Sequence, residues 1–280
     1  MMSINKKLFN KIYEKPLVMG ILNVTSDSFF DGGKYTKDTE ILKRAEQILC
    51  EGAEIIDIGG YSSRPLAIDI SEKDELERLK LALELILKHF PNTIISVDTF
   101  RANIAKFLVE NYGVQIINDI SGGSLDEAMF DTISRLKNVI YVLTHFRGTP
   151  QTMQNPENTI YNNVTNDIFS FFEKKISSLN SLGISEIVID LGFGFAKTTK
   201  QNFELLRNLS KFTTFGLPIL AGMSRKTMLW ETLQCEPKDC LNATSVVNTM
   251  ALLNGAKILR VHDVKAAVEC VKIYQEYEQK

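Results

Sequence analysis

Residues 186–197 read EIVIDLGFGFAK, and the reading of this stretch decides how the rest of the chain is parsed. Ile187, Val188 and Ile189 form a short apolar, β-branched run of the kind used by buried parallel strands. The run stops on Asp190, and Gly192 and Gly194 flank Phe193 in a segment suited to tight turns and close backbone approach. A carboxylate where a strand gives way to a glycine-rich loop either caps a turn or faces a ligand. The rest of the chain repeats the arrangement.

Outward from that stretch, Leu17 to Leu22 runs into a polar loop at Asn23, and Glu54 to Ile58, which contains Asp57, runs into Gly59–Pro65. Thr93 to Val97 ends at Asp98, Val114 to Ile117 at Asn118, and Val139 to Leu143 at Thr144 and His145. Pro218 to Ala221 precedes Gly222–Lys226, and Lys257 to Leu259 precedes Arg260, Val261 and His262. A helical pattern follows each run, among them one N-capped by Ser71 with Asp74 and Glu75 in its first turn, one from near Arg101 and one from about Leu125. Parallel strands need crossover helices, and eight such units in a chain near about 250 residues predict a (β/α)₈ TIM barrel of the α/β class. Residues 17–280 are read as that single domain and 1–16 as an N-terminal extension. A doubly wound open sheet shares the alternation and is the competing fold.

With 280 residues, of which 44% are hydrophobic, material for a core is not limiting. A net charge of −2 provides no basic field for nucleic acid. No apolar run approaches the roughly 20 residues that span a bilayer, and the first twenty residues lack the apolar centre of a signal peptide. Cys50, Cys235, Cys240 and Cys270 show no CxxC spacing, so neither zinc nor a disulfide framework is indicated and a reduced cytoplasm is expected.

In a barrel all eight strand ends meet on one face, where active sites of this fold lie. The residues at those ends are Asn23, Asp57, Asp98, Asn118, His145, Asp190, Arg225 with Lys226, and Arg260 with His262. Each has a plain explanation: Asn118 in an Asx-turn, Asp98 as a cap, Lys226 as a solvated helix start, Asp57 as a buried partner, His145 packed or touching a ligand. Together they predict a pocket. Arg64, Arg225, Lys226, Arg260 and His262 supply cations and donors suited to a phosphorylated anion. Asn23 offers a neutral oxygen suited to Mg²⁺. Asp98, Asn118 and Asp190 are acceptors suited to a planar heterocycle carrying adjacent N–H donors. Phe193 and Phe195 either add aromatic surface or fill the core.

Eight motifs in order extend this reading: GILNVTSDSFFDGG (20–33), DIGGYSSRPLA (57–67), SVDTFRANIA (96–105), INDISGG (117–123), THFRGTPQTMQ (144–154), DLGFGFAKT (190–198), AGMSRK (221–226) and RVHDV (260–264). From Leu17 to the last helix the chain resembles the dihydropteroate synthase family of folate biosynthesis. The resemblance implies condensation of (7,8-dihydropterin-6-yl)methyl diphosphate with 4-aminobenzoate, release of pyrophosphate, dependence on Mg²⁺, a homodimer, and inhibition by sulfonamides. It implies pterin binding by Asp98, Asn118, Asp190 and Lys226, with Asp98, Asp190 and Lys226 central to catalysis. Asn23 becomes the Mg²⁺ ligand, and Ser63, Arg64, Arg260 and His262 bind the diphosphate. Phe29, Ser63, Arg64, Pro65 and Lys226 complete the aminobenzoate site.

Tyr61, Ser63 and Leu66 stand where the family usually has Glu, Thr and Gly, and Leu191 where Pro is usual. These departures are expected on the aminobenzoate side and to change its handling rather than abolish the reaction. A non-catalytic pterin-binding paralogue and a pterin-dependent methyltransferase on the same barrel are the rival functions.

Overall fold

The computed structural model describes residues 4–25, 34–62 and 69–279. Strands β1 (Leu17–Asn23), β2 (Ile55–Gly59), β3 (Ile94–Asp98), β4 (Ile116–Asp119), β5 (Ile140–Thr144), β6 (Ile187–Asp190), β7 (Ile219–Ala221) and β8 (Ala256–Val261) pair in chain order. Every pairing is parallel. β8 returns to β1, with Leu17 opposite Ile258 and Gly20 opposite Val261. That closure settles the barrel against the open sheet.

Helices α2 (Lys34–Cys50), α3 (Glu72–His89), α4 (Ala102–Tyr112), α5 (Met129–Arg135), α6 (Val164–Ser181), α7 (Thr199–Arg207), α8 (Thr227–Leu233), α9 (Leu241–Leu253) and α10 (Val264–Glu278) form the outer layer. Ser71 caps α3 as read, its Oγ accepting from the Asp74 N–H at 3.1 Å. The helix expected from Leu125 begins only at Met129. The Asp119 carboxylate takes the N–H groups of Ser121 and Gly123, and Gly122 and Gly123 lie at φ 56° and 71°, so the chain turns before it can coil. Among the described residues no helix is long and apolar enough to cross a membrane.

Two apolar layers hold the fold. Outward strand residues such as Ile56, Val97, Ile117 and Ile189 pack against the helices, and inward residues Leu17, Met19, Ile55, Ile116, Ile140, Val142, Val188, Leu220 and Ile258 fill the barrel. The segment before β1 adds α1 (Ile4–Glu14). Its Leu8 and Ile12, one helical turn apart, are buried among the inward residues and seal the amino end of the barrel.

Candidate active site

Side chains alternate inward and outward along each strand, and toward the carboxyl ends the inward positions change from apolar to polar. On β2 Ile55 gives way to Asp57, on β3 Ile94 to Ser96 and Asp98, and on β4 Ile116 to Asn118. On β5 Val142 gives way to Thr144, on β6 Val188 to Asp190, and on β8 Ile258 to Arg260. Among the described residues, Asp57 Oδ1, Ser96 Oγ and Thr144 Oγ1 are buried polar atoms with no hydrogen-bond partner. A polar layer left partly unsatisfied above an apolar floor has the chemistry of a binding pocket.

Arg260 spans that layer. Its Nε donates to Asp57 Oδ2 at 2.6 Å and its Nη2 to Asp98 Oδ2 at 2.7 Å, so β8 reaches across β1 to β2 and β3. Asn118 Nδ2 donates to the same Asp57 oxygen at 3.1 Å. Asp57 is thus the buried partner expected of it. Burial opposes the Arg260 charge, yet Asp57 and Asp98 outweigh it and raise the guanidinium pKa. Burial pushes the Asp98 carboxyl up to about 7, against the pull of Arg260 and with help from Asp57. Asp190 is also raised by burial, opposed by the Gly192 N–H and by Lys226 and Arg260.

Asp190 is aimed by the loop that follows it. The Gly192 N–H donates to Oδ1 at 2.8 Å, and Oδ2 faces Gly222, 3.9 Å from where a Cβ there would stand. The loop is pinned from beneath by Lys197, whose Nζ donates to Gly192 O at 2.8 Å and Phe195 O at 3.0 Å and lies 3.1 Å from His145 Nδ1. Burial lowers the Lys197 pKa to about 7. Burial and then Lys197 hold the His145 pKa well below its usual range, so His145 is a neutral, packed ring set edge-on to Phe171.

Above this layer opens a cavity of about 590 Å³ bordered by Asn23, Asp98, Lys226, Arg260 and His262. Asp190 and Asn118 lie just below it, tied to it through Gly222 and Asp57. Lys226 Nζ stands 4.2 Å from the centroid of Phe195, which borders the cavity, whereas Phe193 is buried in the helix-facing core. Burial and then Arg260 lower the Lys226 pKa to about 8, offset by Asp190 and Asp98.

Two of the expected cations differ from their reading. Arg225, at φ 57°, is committed to Asp263 through bonds of 3.0 and 2.6 Å. His262, lowered to about 3 by burial and by Arg260 and Arg225, offers a ring N–H rather than a charge. Leu191 is fully buried in the helix-facing core and does not border the cavity, so it does not act on the aminobenzoate side as expected of it. Phe29, Ser63, Arg64, Pro65 and Leu66 lie outside the described residues.

Sequence reasoning passed over Lys197 and Trp230. A lysine past a glycine-rich turn reads as solvated; only the buried acceptors around it reveal its work. Trp230 borders the mouth from α8 one turn after Lys226, a spacing that was available but unused. Tyr61 borders the cavity too, edge-on to Phe100 with ring centres 5.2 Å apart, its hydroxyl accepting from Gln151 Nε2 at 2.9 Å.

Residues 19–262 match the family described as pterin binding enzyme. Dihydropteroate synthase of Haemophilus influenzae is 38% identical over 262 residues, covering 93% of this chain and 93% of that one. The structure of Yersinia pestis dihydropteroate synthase in complex with a sulfonamide drug superposes with a TM-score of 0.85 at 37% identity, covering 94% of each chain. Dihydropteroate synthase from Xanthomonas albilineans in complex with 7,8-dihydropteroate superposes with a TM-score of 0.82 at 28% identity, covering 95% of this chain and 94% of that one.

Proposed function

This chain belongs to the dihydropteroate synthase family and is a transferase joining (7,8-dihydropterin-6-yl)methyl diphosphate to 4-aminobenzoate; we propose that it does so at the mouth just described. The observation that carries the assignment of the site is the convergence of Asp98, Lys226 and Arg260, drawn from three different strand ends, on one cavity, with the Asp190 carboxylate beneath it at Gly222. Asp98, Asn118 and Asp190 would hold the N–H edge of the pterin, with Lys226 beside its ring. Arg260 and His262 would face the diphosphate.

An arylamine is a weak nucleophile, so the reaction gains more from a strong electrophile than from a base. As the diphosphate departs, the developing positive charge on the pterin methylene is favoured by Asp57, Asp98 and Asp190, while Arg260 and Lys226 favour the anion. Phe195, Tyr61 and Lys226 would form the wall against which the aminobenzoate lies. The departure at Tyr61 falls on that side, while those at Ser63 and Leu66 lie outside the described residues. We expect a KM for aminobenzoate and a sulfonamide affinity that differ from those of relatives with the usual loop.

Among the described residues no cluster of three or more His, Cys, Asp or Glu could cage a metal. Asn23 borders the cavity with Arg260 and His262, and its neutral oxygen with waters would suit a Mg²⁺ brought by the diphosphate, since Mg²⁺ rarely takes an all-protein cage. When bound, the ion would neutralise charge on the leaving diphosphate. The free cysteines fit a reduced cytoplasm. Val246, Met250 and Leu253 expose an apolar stripe on α9, and Ile273 is exposed on the neighbouring α10, which supports a homodimer through these helices.

A pyrophosphate-release assay tests the function. Release should require both substrates and fall when Mg²⁺ is chelated. Equal release without aminobenzoate, or none with both present, would overturn it.

A further inference from the structure

Outside the mouth, the short segment between α8 and α9 brings two thiols together. Cys235 Sγ and Cys240 Sγ are 3.6 Å apart, at van der Waals contact, although the spacing matches no redox or metal motif. Both positions are held by their neighbours. Gln234 turns the chain at φ 53°, which lets the Cys235 N–H donate to Trp230 O at 3.1 Å at the end of α8. Cys240 is the N-cap of α9; its carbonyl takes the Thr244 N–H at 2.8 Å, and its thiol donates to Glu236 O at 3.6 Å. Between the two lies a single turn, Pro237–Asp239, and Pro237 borders the catalytic mouth. Cys50 and Cys270 have no such contact with another cysteine.

We propose that Cys235 and Cys240 form an oxidisable dithiol whose disulfide ties the end of α8 to the start of α9 and so resets the outer rim of the mouth. The two positions are unequal. Cys235 is part exposed, whereas Cys240 is buried and its thiol is pushed up to about 11 by burial and by the Cys235 sulfur. A peroxide therefore meets Cys235 first. The Cys235 thiolate attacks one peroxide oxygen, forming a sulfenic acid and releasing hydroxide. The Cys240 thiol then attacks the sulfenic sulfur; the S–O bond breaks, and its oxygen leaves as water with the Cys240 proton. Two thiols have lost two electrons, and one hydrogen peroxide has become two waters. Closing the sulfurs to the roughly 2 Å of a disulfide draws in the Pro237 turn. In a reducing compartment the thiols are the resting state and the bond forms under oxidant load.

Trp230, the chain's one tryptophan, reports on this segment. Full-length protein treated with a small excess of hydrogen peroxide and then alkylated under denaturing conditions should lose two of four alkylatable thiols together and yield a cross-linked 235–240 peptide. Its tryptophan emission should shift and return with dithiothreitol. Cys235→Ser and Cys235→Ala should show neither the link nor the reversible shift. Four alkylatable thiols after treatment, or a link made through Cys50 or Cys270, would overturn the site. A 235–240 link that leaves the emission unchanged would overturn its effect on the rim. None of these readouts depends on the assignment of the mouth.

Discussion

Lys226 Nζ stands 4.2 Å from the centre of the Phe195 ring, so a cation and an aromatic face share one wall of the mouth. Gly194 permits it: a Cβ there would lie 2.9 Å from Lys226 Cδ, and the backbone φ is +80°. Asp98, raised to about 7, must be ionised to accept N–H donors, and Lys226, lowered to about 8, must be protonated to meet an anion. The profile of kcat/KM for the pterin diphosphate against pH should therefore be a narrow bell, falling on the acid side near 7 and on the basic side near 8. Lys226→Arg should remove the basic limb. The sign for stability follows separately. The folded Lys226 pKa lies below the unfolded value of about 10.4, so the unfolded chain binds the extra proton between them. The cost of burying the Lys226 charge is therefore full below about pH 8 and fades as pH rises through that window, a trend that Lys226→Met should flatten in thermal melts.

Asp190→Asn keeps the size of the side chain and its bond from Gly192, so the fold should survive. It replaces one acceptor oxygen with a donor facing other donors. Calorimetry should show pterin diphosphate binding weaker by about 1–3 kcal/mol, and unchanged affinity would remove Asp190 from the site.

Asp57 and Asp263 each hold an arginine, but in different surroundings. Asp57 is fully buried beneath Arg260, whereas the Arg225–Asp263 pair is partly open to solvent. Asp57→Asn should cost about 1–3 kcal/mol in urea unfolding, since it removes one of the two carboxylates that balance a buried guanidinium and leaves Asp98 alone. Asp263→Asn should cost less than about 1 kcal/mol. Equal losses would contradict the account of the inner network.

Lys197→Met would leave the carbonyls of Gly192 and Phe195 without their buried donor. The expected loss is about 1–3 kcal/mol of stability, with a weaker hold on the pterin because the loop that aims Asp190 slackens. Wild-type melting and wild-type affinity together would refute a positioning role for Lys197.

What could be read from residues alone follows a physical rule. Asp98, Asn118, Asp190 and Arg260 were legible because each ends an apolar run at a defined parity, and parity alone turns a side chain into the barrel. The N-cap at Ser71 was legible for the same local reason. Other features depend on what the chain meets after folding. Lys197 is satisfied by three acceptors, one of them 52 residues away in sequence. Arg225 looked like an anion-binding cation until Asp263 came beside it. The cysteines looked unrelated because the turn at Gln234 that sets Cys235 against Cys240 uses a conformation non-glycine residues seldom adopt.

The first helix bears on traffic as well as on stability. With apolar side chains filling the barrel and Leu8 and Ile12 packed beneath them at its far end, whatever enters the mouth must leave by it. If the heterocycle lies against Asp98 and Asp190 as proposed, it sits beneath the place left for the arylamine and has to arrive before it.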